Sequence, residues 1–346
     1  MLKLKPSQLR TLLLALIPAR KRVLVVGGPG TGKTSIVRQV ADELDADVLL
    51  STPSTEDPTE PKGFPWANEK DATAHFKPFG NLARALAATK LTIWFLDDFG
   101  QALPGVQSGY MPLLQGRTAD GQELPECVVF VAATNRRADR AGVGGLLEPV
   151  KSRFDTIVEL VPELDETCQW MIGQQDIAPE VVAYLRWQPD ALNQFNPTAD
   201  LENSPVPRTW EHAGRILSLK IADKAVEAAA VCGAIGDGQG GQLLAFVEMF
   251  RQLPSVDGIL VDPDSAIVPT QVNVLYAVST AVASRVTEKN FGRAARYAAR
   301  LEDAGHGDFA ALLIRDVIRR KPALQQTPEF VKLMSSPLGQ LMGGGN

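Results

Sequence analysis

Histidine and cysteine are scarce in this chain of 346 residues. His75, His212 and His306 are its three histidines, which argues against a zinc site built from imidazoles. Cys127, Cys168 and Cys232 are odd in number and far apart. They form neither a disulfide framework nor a CxxC metal pair, and a reducing, cytoplasmic compartment is expected. A basic excess is also missing. Thirty-five lysines and arginines face 40 acidic residues, for a net charge of −5. That balance argues against a sequence-independent nucleic-acid coat, although a local basic patch is compatible with it. No stretch approaches the roughly 20 apolar residues of a membrane span, so no membrane partner is expected. The N-terminal "LLLALI" follows early lysines, as in a signal peptide. However, Leu9, Leu12, Leu13, Leu16 and Ile17 recur at the spacing of one helical face and Pro18 ends the pattern. An amphipathic helix within residues 1–22 is the expectation.

What the chain has is a mixed composition, 45% apolar and 22% charged, and enough length for more than one domain. The most specific local signal is "RVLVVGGPGTGKTSIVRQVADEL", residues 22–44. Val23 to Val26 is a short apolar strand, and Gly27, Gly32, Lys33 and Thr34 fill every position of G-x-x-x-x-G-K-[ST]. Glycines let the backbone curl around phosphate oxygens and turn N–H groups towards them. A helix beginning near Gly32 adds its positive end. Lys33 supplies a mobile charge to the outer phosphates, and the Thr34 hydroxyl suits Mg²⁺. The candidate surface for ATP is therefore Gly27, Gly28, Pro29, Gly30, Thr31, Gly32, Lys33, Thr34 and Ser35. Ile36, Val37, Val40, Ala41 and Leu44 then mark one apolar face of the following helix.

"TIWFLDDFGQA", residues 92–102, is an apolar run ending in two carboxylates. Successive strand residues face opposite ways, so Asp97 and Asp98 should not share a target. A phosphate loop needs an acidic residue on a neighbouring strand for its metal, and Asp97 takes that role, by default through water. Asp98 then either orients the attacking water or is a solvated turn residue. "ECVVFVAATN" is a further apolar strand, with the amide of Asn135 at its tip, placed to bond water and γ-phosphate together. In "LLEPVKSRFDTIVEL", Arg153 just precedes another strand, Thr156 to Leu160. A guanidinium suits charge developing on a transferring phosphoryl group. Because ligands sit at the carboxyl ends of parallel strands, Lys33, Asp97, Asp98, Asn135 and Arg153 are all expected at that edge.

Together with "VPRTWEHAGRIL", these residues resemble the AAA+ ATPases over about the first two-thirds of the chain. The resemblance implies an α/β fold: a P-loop core at 23–160 with a parallel five-stranded sheet of order 5-1-4-3-2. It implies an α-helical lid at 161–253, followed here by a C-terminal helical region at 254–346 with a disordered "MGGGN" tail. It makes Asn135 a first sensor, Arg153 an arginine finger reaching a neighbour's nucleotide, and Arg208 a second sensor acting in cis or in trans. A homo-oligomeric ring, usually hexameric, follows, with Arg136, Arg137 and Arg140 either facing a neighbour or lying in a solvated loop. The nearest branch resembles the MoxR-type ATPases. "DPTEPKGFPWANEKDATAHFKP" interrupts the expected second helix as that branch's hairpin insert does, and "QGRTADGQELPECVVF" forms a second hairpin turning at Asp120-Gly121.

That branch implies remodelling or loading of a protein partner, often one with a von Willebrand factor A domain. The other open reading is a motor or loader acting on nucleic acid. The insert's near balance of Lys62, Lys70, His75 and Lys77 with Glu60, Glu69 and Asp71 favours protein. Phe64 and Trp66 either face the partner or pack the hairpin onto the sheet. Where the family usually has Asp-Glu at the acidic strand end, this chain has Asp97-Asp98. The carboxylate is one methylene shorter, which leaves open slow hydrolysis and a nucleotide-switched scaffold. "DETCQWMIGQQ", "APEVVAYLRW" and "PRTWEHAGRILSLK" are expected lid helices, with Trp170, Trp187 and Trp210 in the lid core and a glycine-rich break at 236–241.

Overall fold

The computed structural model describes all residues except 69–72, 140–143, 199, 252, 254 and 344–346. They fall into two compact units: residues 1–163 with 195–197, and residues 164–194 with 198 onwards.

The first unit is a sheet covered on both faces. Its elements are β1 (Lys3–Leu4), α1 (Pro6–Leu16), β2 (Val23–Gly27), α2 (Lys33–Glu43), β3 (Asp47–Ser51), β4 (Phe64–Asn68), β5 (Thr73–Lys77) and α3 (Gly80–Leu86). There follow β6 (Thr92–Leu96), α4 (Pro104–Gly116), β7 (Thr118–Ala119), β8 (Gln122–Glu123), β9 (Val128–Thr134), α5 (Glu148–Lys151) and β10 (Thr156–Leu160). Six strands pair in parallel in the order β1-β10-β2-β9-β6-β3. Without β1 this is the 5-1-4-3-2 order expected of the core. The sixth strand is an addition: Lys3 and Leu4 lie beside Glu159 and Leu160 at the edge.

β6 and β9 are buried along their whole length, as central strands covered on both faces must be. One layer packs Leu9, Leu13 and Ile17 with Val37, Val40, Val25 and Phe95. The other packs Leu82, Tyr110, Leu113 and Leu114 against Trp94 and Phe130, whose rings stack at 5.2 Å. The indole N–H of Trp94 donates to Ser51 Oγ at 3.0 Å, so this buried ring leaves no polar atom unpaired.

Both expected hairpins form. β4 pairs antiparallel with β5, Trp66 opposite His75. Gly63, at φ 102°, opens that hairpin; a Cβ there would come within 2.8 Å of the Lys77 carbonyl oxygen, so only glycine fits. β7 and β8 turn through Asp120 (φ 47°) and Gly121 (φ 78°), the left-handed pair that a tight hairpin requires. The Asp120 carboxylate also accepts from the Phe76 amide at 2.9 Å, tying one hairpin to the other. Phe64 and Trp66 are about half exposed, at 54% and 51%, so neither is packed away in the sheet. Phe64 meets Phe79 edge-on, and the Lys77 ammonium lies 4.4 Å from the Trp66 ring centre.

The second unit is helical: α6 (Leu164–Gly173), α7 (Pro179–Trp187), α8 (Pro207–Ser218), α9 (Lys224–Ile235), α10 (Asp237–Arg251) and α11 (Val256–Val261). It continues with α12 (Val272–Arg285), α13 (Phe291–Asp303), α14 (Gly307–Arg320), α15 (Pro328–Met334) and α16 (Pro337–Gly343). Residues expected as lid and those expected as a separate C-terminal region share this unit. α7 and α14 are joined by Arg186 and Asp316, a bidentate ion pair at 2.6 and 2.8 Å with side chains 7% and 5% exposed.

Three expectations are corrected here. The glycine-rich break expected at 236–241 is confined to Gly236 (φ 81°), which ends α9; α10 starts at the next residue. Its glycines serve close approach, since a Cβ on Gly240 would lie 2.7 Å from Cys232. Met342 and Gly343 of the expected disordered tail belong to α16; residues 344–346 lie outside the described ones. Trp210 is buried and donates to the Ala191 carbonyl at 2.9 Å, but Trp187 is 37% exposed, with one face stacked on Phe246. No helix among the described residues is long and apolar enough to cross a membrane.

Candidate functional site

The site lies at the carboxyl ends of three adjacent strands, β2, β9 and β6. After β2 the chain turns through Gly30 (φ 70°) and Gly32 (φ 93°), and α2 starts at Lys33. Gly32 caps α2 without any side-chain hydrogen bond to its first turn, whose backbone N–H groups therefore suit an anion. Thr31 Oγ1 donates to the Gly28 carbonyl at 2.9 Å and braces the loop from within.

Lys33 is 7% exposed, and its ammonium donates to the carbonyls of Gly27 and Gly28 and to Asn135 Oδ1, each at 2.9 Å. All three of these acceptors are neutral oxygens. Asn135, just past β9, uses its other end as well: Nδ2 donates to Asp98 Oδ1 at 3.2 Å. Its amide thus links the loop after β2 to the turn after β6 across the central strand.

The paired carboxylates diverge. Asp97 Oδ2 accepts from the Thr34 hydroxyl at 2.7 Å, and Asp97 Oδ1 accepts from the Asp98 amide at 3.1 Å. Asp98 faces Asn135 instead. Its backbone is left-handed, φ 52° and ψ 34°, a conformation that aspartate and asparagine tolerate best among non-glycine residues. Thr34 and Asp97 set a hydroxyl and a carboxylate side by side, a hard-oxygen pair that fits Mg²⁺ and its water shell.

Arg153 is not at this edge. It lies three residues before β10 begins, beside the Asp155–Arg22 ion pair, at the amino ends of β10 and β2. The connection after β9 crosses the sheet before β10 starts, which carries the residue to the opposite edge. There its guanidinium donates to Gln115 Oε1 at 2.6 Å and to the Pro149 carbonyl. Its buried Nε has no hydrogen-bond partner among the described residues. Arg208 lies in the second unit, exposed at the second residue of α8.

Arg136, expected to face a neighbour or lie in a solvated loop, joins the site instead. The Arg136 guanidinium covers Gly28: a Cβ on that glycine would lie 3.2 Å from Arg136 Nη2. Arg136 is fixed from below by the buried Asp139, at 2.9 Å, and by Glu159, at 3.5 Å. Hydrogen bonding to Asp139 raises its pKa above the ordinary arginine value. The i, i+3 spacing of Arg136 and Asp139 was the signal that could have revealed the pair. Arg137 is exposed, and Arg140 lies outside the described residues.

Residues 23–161 match the model of the ATPase family associated with various cellular activities (AAA). No curated protein matches the chain significantly. Similar solved structures include NtrX from Brucella abortus in complex with ADP, at 16% identity and a TM-score of 0.43, covering 97% of this chain and 67% of that one. Another is the RuvB Holliday junction branch migration motor of Thermotoga maritima, at 15% identity and a TM-score of 0.37, covering 87% of each chain. Both TM-scores lie below 0.5, so these likenesses do not decide between functions. The matched segment, with its phosphate loop, parallel sheet and strand-end polar residues, is a P-loop domain of the AAA+ type.

Proposed function

We propose that the chain hydrolyses ATP with Mg²⁺ in a homo-oligomeric ring and uses the cycle to remodel or load a protein partner. The observation that carries this reading is the chain of contacts Lys33–Asn135–Asp98 beside the pair Thr34–Asp97, while Arg153 stands at the far edge of the same sheet. Lys33 and the α2 N-terminus bind phosphate; Thr34 and Asp97 hold the metal, which would neutralise charge on the outer phosphates. Asp98, held by Asn135, takes a proton from the attacking water or orients it. A finger that cannot serve its own chain's site is placed to serve the next subunit's.

Two features support assignment to the MoxR-type branch: the β4–β5 hairpin inserted before α3, and the β7–β8 hairpin. The exposed Phe64 and Trp66 support contact with a protein, and a von Willebrand factor A domain partner is proposed from that resemblance. Arg208 is proposed as a second sensor.

The test is a mixing experiment. Lys33→Ala should not bind ATP; Arg153→Ala should bind it without hydrolysis. Co-assembled rings of the two should regain activity at interfaces where an intact loop meets an intact finger. Proven co-assembly with no regained activity at any ratio overturns a finger acting across subunits, and unchanged ATP affinity of Lys33→Ala overturns the phosphate loop. Tight DNA binding with a steep salt dependence would move the function to a nucleic-acid motor.

A further inference from the structure

We propose that the helical second unit carries its own binding cleft for a small molecule bearing a chain of phosphate groups. An open cleft of about 690 Å³ lies there among α7 to α12 and the end of α14. This is within the range of about 300–1,000 Å³ usual for small-molecule sites. Five cations line it, Lys220, Lys224, Arg251, Arg285 and Arg320, against the two carboxylates Glu180 and Glu227. Such a local excess is notable in a chain whose net charge is −5.

The internal pairings show which charges remain for a ligand. Glu227, with its side chain 1% exposed, is held by Arg251 at 2.8 and 3.0 Å and by Lys224 at 3.1 Å. Those three groups form a closed cluster that fixes the cleft wall. Arg285 only approaches Asp257 at 3.5 Å, with both side chains well exposed, a pairing that water and salt largely screen. Lys220 is exposed, and its side chain has no hydrogen bond or ion pair with any described residue.

Arg320 is the decisive group. It is partly buried, and its guanidinium makes no hydrogen bond or ion pair among the described residues. Asp316, the carboxylate that acts on it, is already engaged by both arms of Arg186. Burial lowers the pKa of Arg320 below the ordinary arginine value, and Asp316 offsets only part of that effect. A guanidinium so placed presents a planar fork of donors matched to phosphate or carboxylate oxygens. Glu180, on the same wall, has its pKa pushed up by burial, with Arg251 and Lys220 opposing that shift.

Lys220 and Arg320, with Arg285 only loosely paired to Asp257, call for more charge than one carboxylate brings; a terminal phosphate carries about −1.5 to −2 near neutral pH, and each further group of a phosphate chain adds to it. Ile177 and Phe250 supply an apolar wall for whatever the phosphates are attached to. The phosphates could belong to a nucleotide or to inorganic polyphosphate.

The test uses the full chain carrying Lys33→Ala, so that the phosphate loop is silent. Inorganic tripolyphosphate and ATP are titrated separately by calorimetry. Each should bind once per chain, and Lys220→Gln or Arg320→Gln should weaken binding at least tenfold. ATP binding more tightly than tripolyphosphate identifies a nucleotide; equal affinity identifies the phosphate chain alone. Because Lys220 is exposed, its variant cannot fail merely by unfolding. No binding, binding that neither variant alters, or a hexaglutamate peptide binding as tightly as tripolyphosphate would overturn the proposal.

Discussion

Asp98→Asn separates chemistry from structure at one atom. Asp98 stands at φ 52°, ψ 34°, and accepts from Asn135 Nδ2 at 3.2 Å. Left-handed backbone costs most L-residues roughly 1–2 kcal/mol, and asparagine is among the few that escape it. An asparagine Oδ1 can also accept the same bond. The variant should therefore fold with an unchanged or slightly higher melting temperature and bind Mg·ATP normally. What it loses is the base. Loss of general-base help costs roughly 10²–10⁴ in rate, or about 2.7–5.4 kcal/mol of barrier. A phosphate-release assay at saturating Mg·ATP should show that loss, with ATP-bound oligomers accumulating. Asp97→Asn should fail differently, because Asp97 accepts the Thr34 hydroxyl at 2.7 Å. Affinity for nucleotide should fall with magnesium present and change little without it. Hydrolysis by Asp98→Asn at the wild-type rate would refute the reasoning and leave Asp98 a turn residue chosen for its backbone alone.

Two further outcomes concern stability. Asp316→Ala should strand the Arg186 guanidinium in a site where both side chains are under 8% exposed, destabilising the second unit by about 3–5 kcal/mol in urea unfolding. Arg186→Met with Asp316→Leu should recover most of that, and a cost below about 1 kcal/mol for Asp316→Ala would show that the pair is already hydrated. Asp155 has its pKa lowered, first by its hydrogen bond from Arg22. Its folded value lies below its unfolded one, so its contribution is present above the unfolded carboxylate range near pH 4 and is lost as pH falls through the folded value. Wild type should thus melt above Asp155→Asn at pH 7, and the gap should close on acidification; a gap that persists at pH 2 would contradict the assignment.

The phosphate loop was legible because its chemistry is contiguous: Gly27 to Thr34 must be neighbours in sequence to wrap one anion. Asp97 and Asn135 were legible for a related reason, since an apolar run that stops at a polar residue marks a strand end, and parallel strands end at one edge. Arg153 was misplaced although its position was legible: unlike Lys33, Asp97 and Asn135, which follow strands, it precedes β10, and the start of a parallel strand lies at the opposite edge. β1 was invisible at two residues, too short for any periodicity. The expected break ran on to Gly241 because glycine serves two purposes, and only the 2.7 Å approach of Gly240 to Cys232 reveals close helix packing. The basic cleft draws its cations from Lys220, after α8, and from one residue on each of α9, α10, α12 and α14, so no window of sequence contains it.

Backbone conformation accounts for something composition could not. Asp-Asp instead of Asp-Glu at the acidic strand end looked only like a loss of reach. At φ 52° the second carboxylate sits where a short side chain able to bond locally is favoured over a longer one. Asn135 meets that shorter carboxylate directly, and the same amide also holds Lys33. The missing methylene is thus matched by a partner brought close, and the turn after β6 exchanges reach for a fixed position. Asp98→Glu follows as the complementary case: it should lower stability by about 1 kcal/mol at the left-handed position. Its turnover rises above wild type only if reach limits the rate, and a fall in both turnover and melting temperature would mean that position limits it.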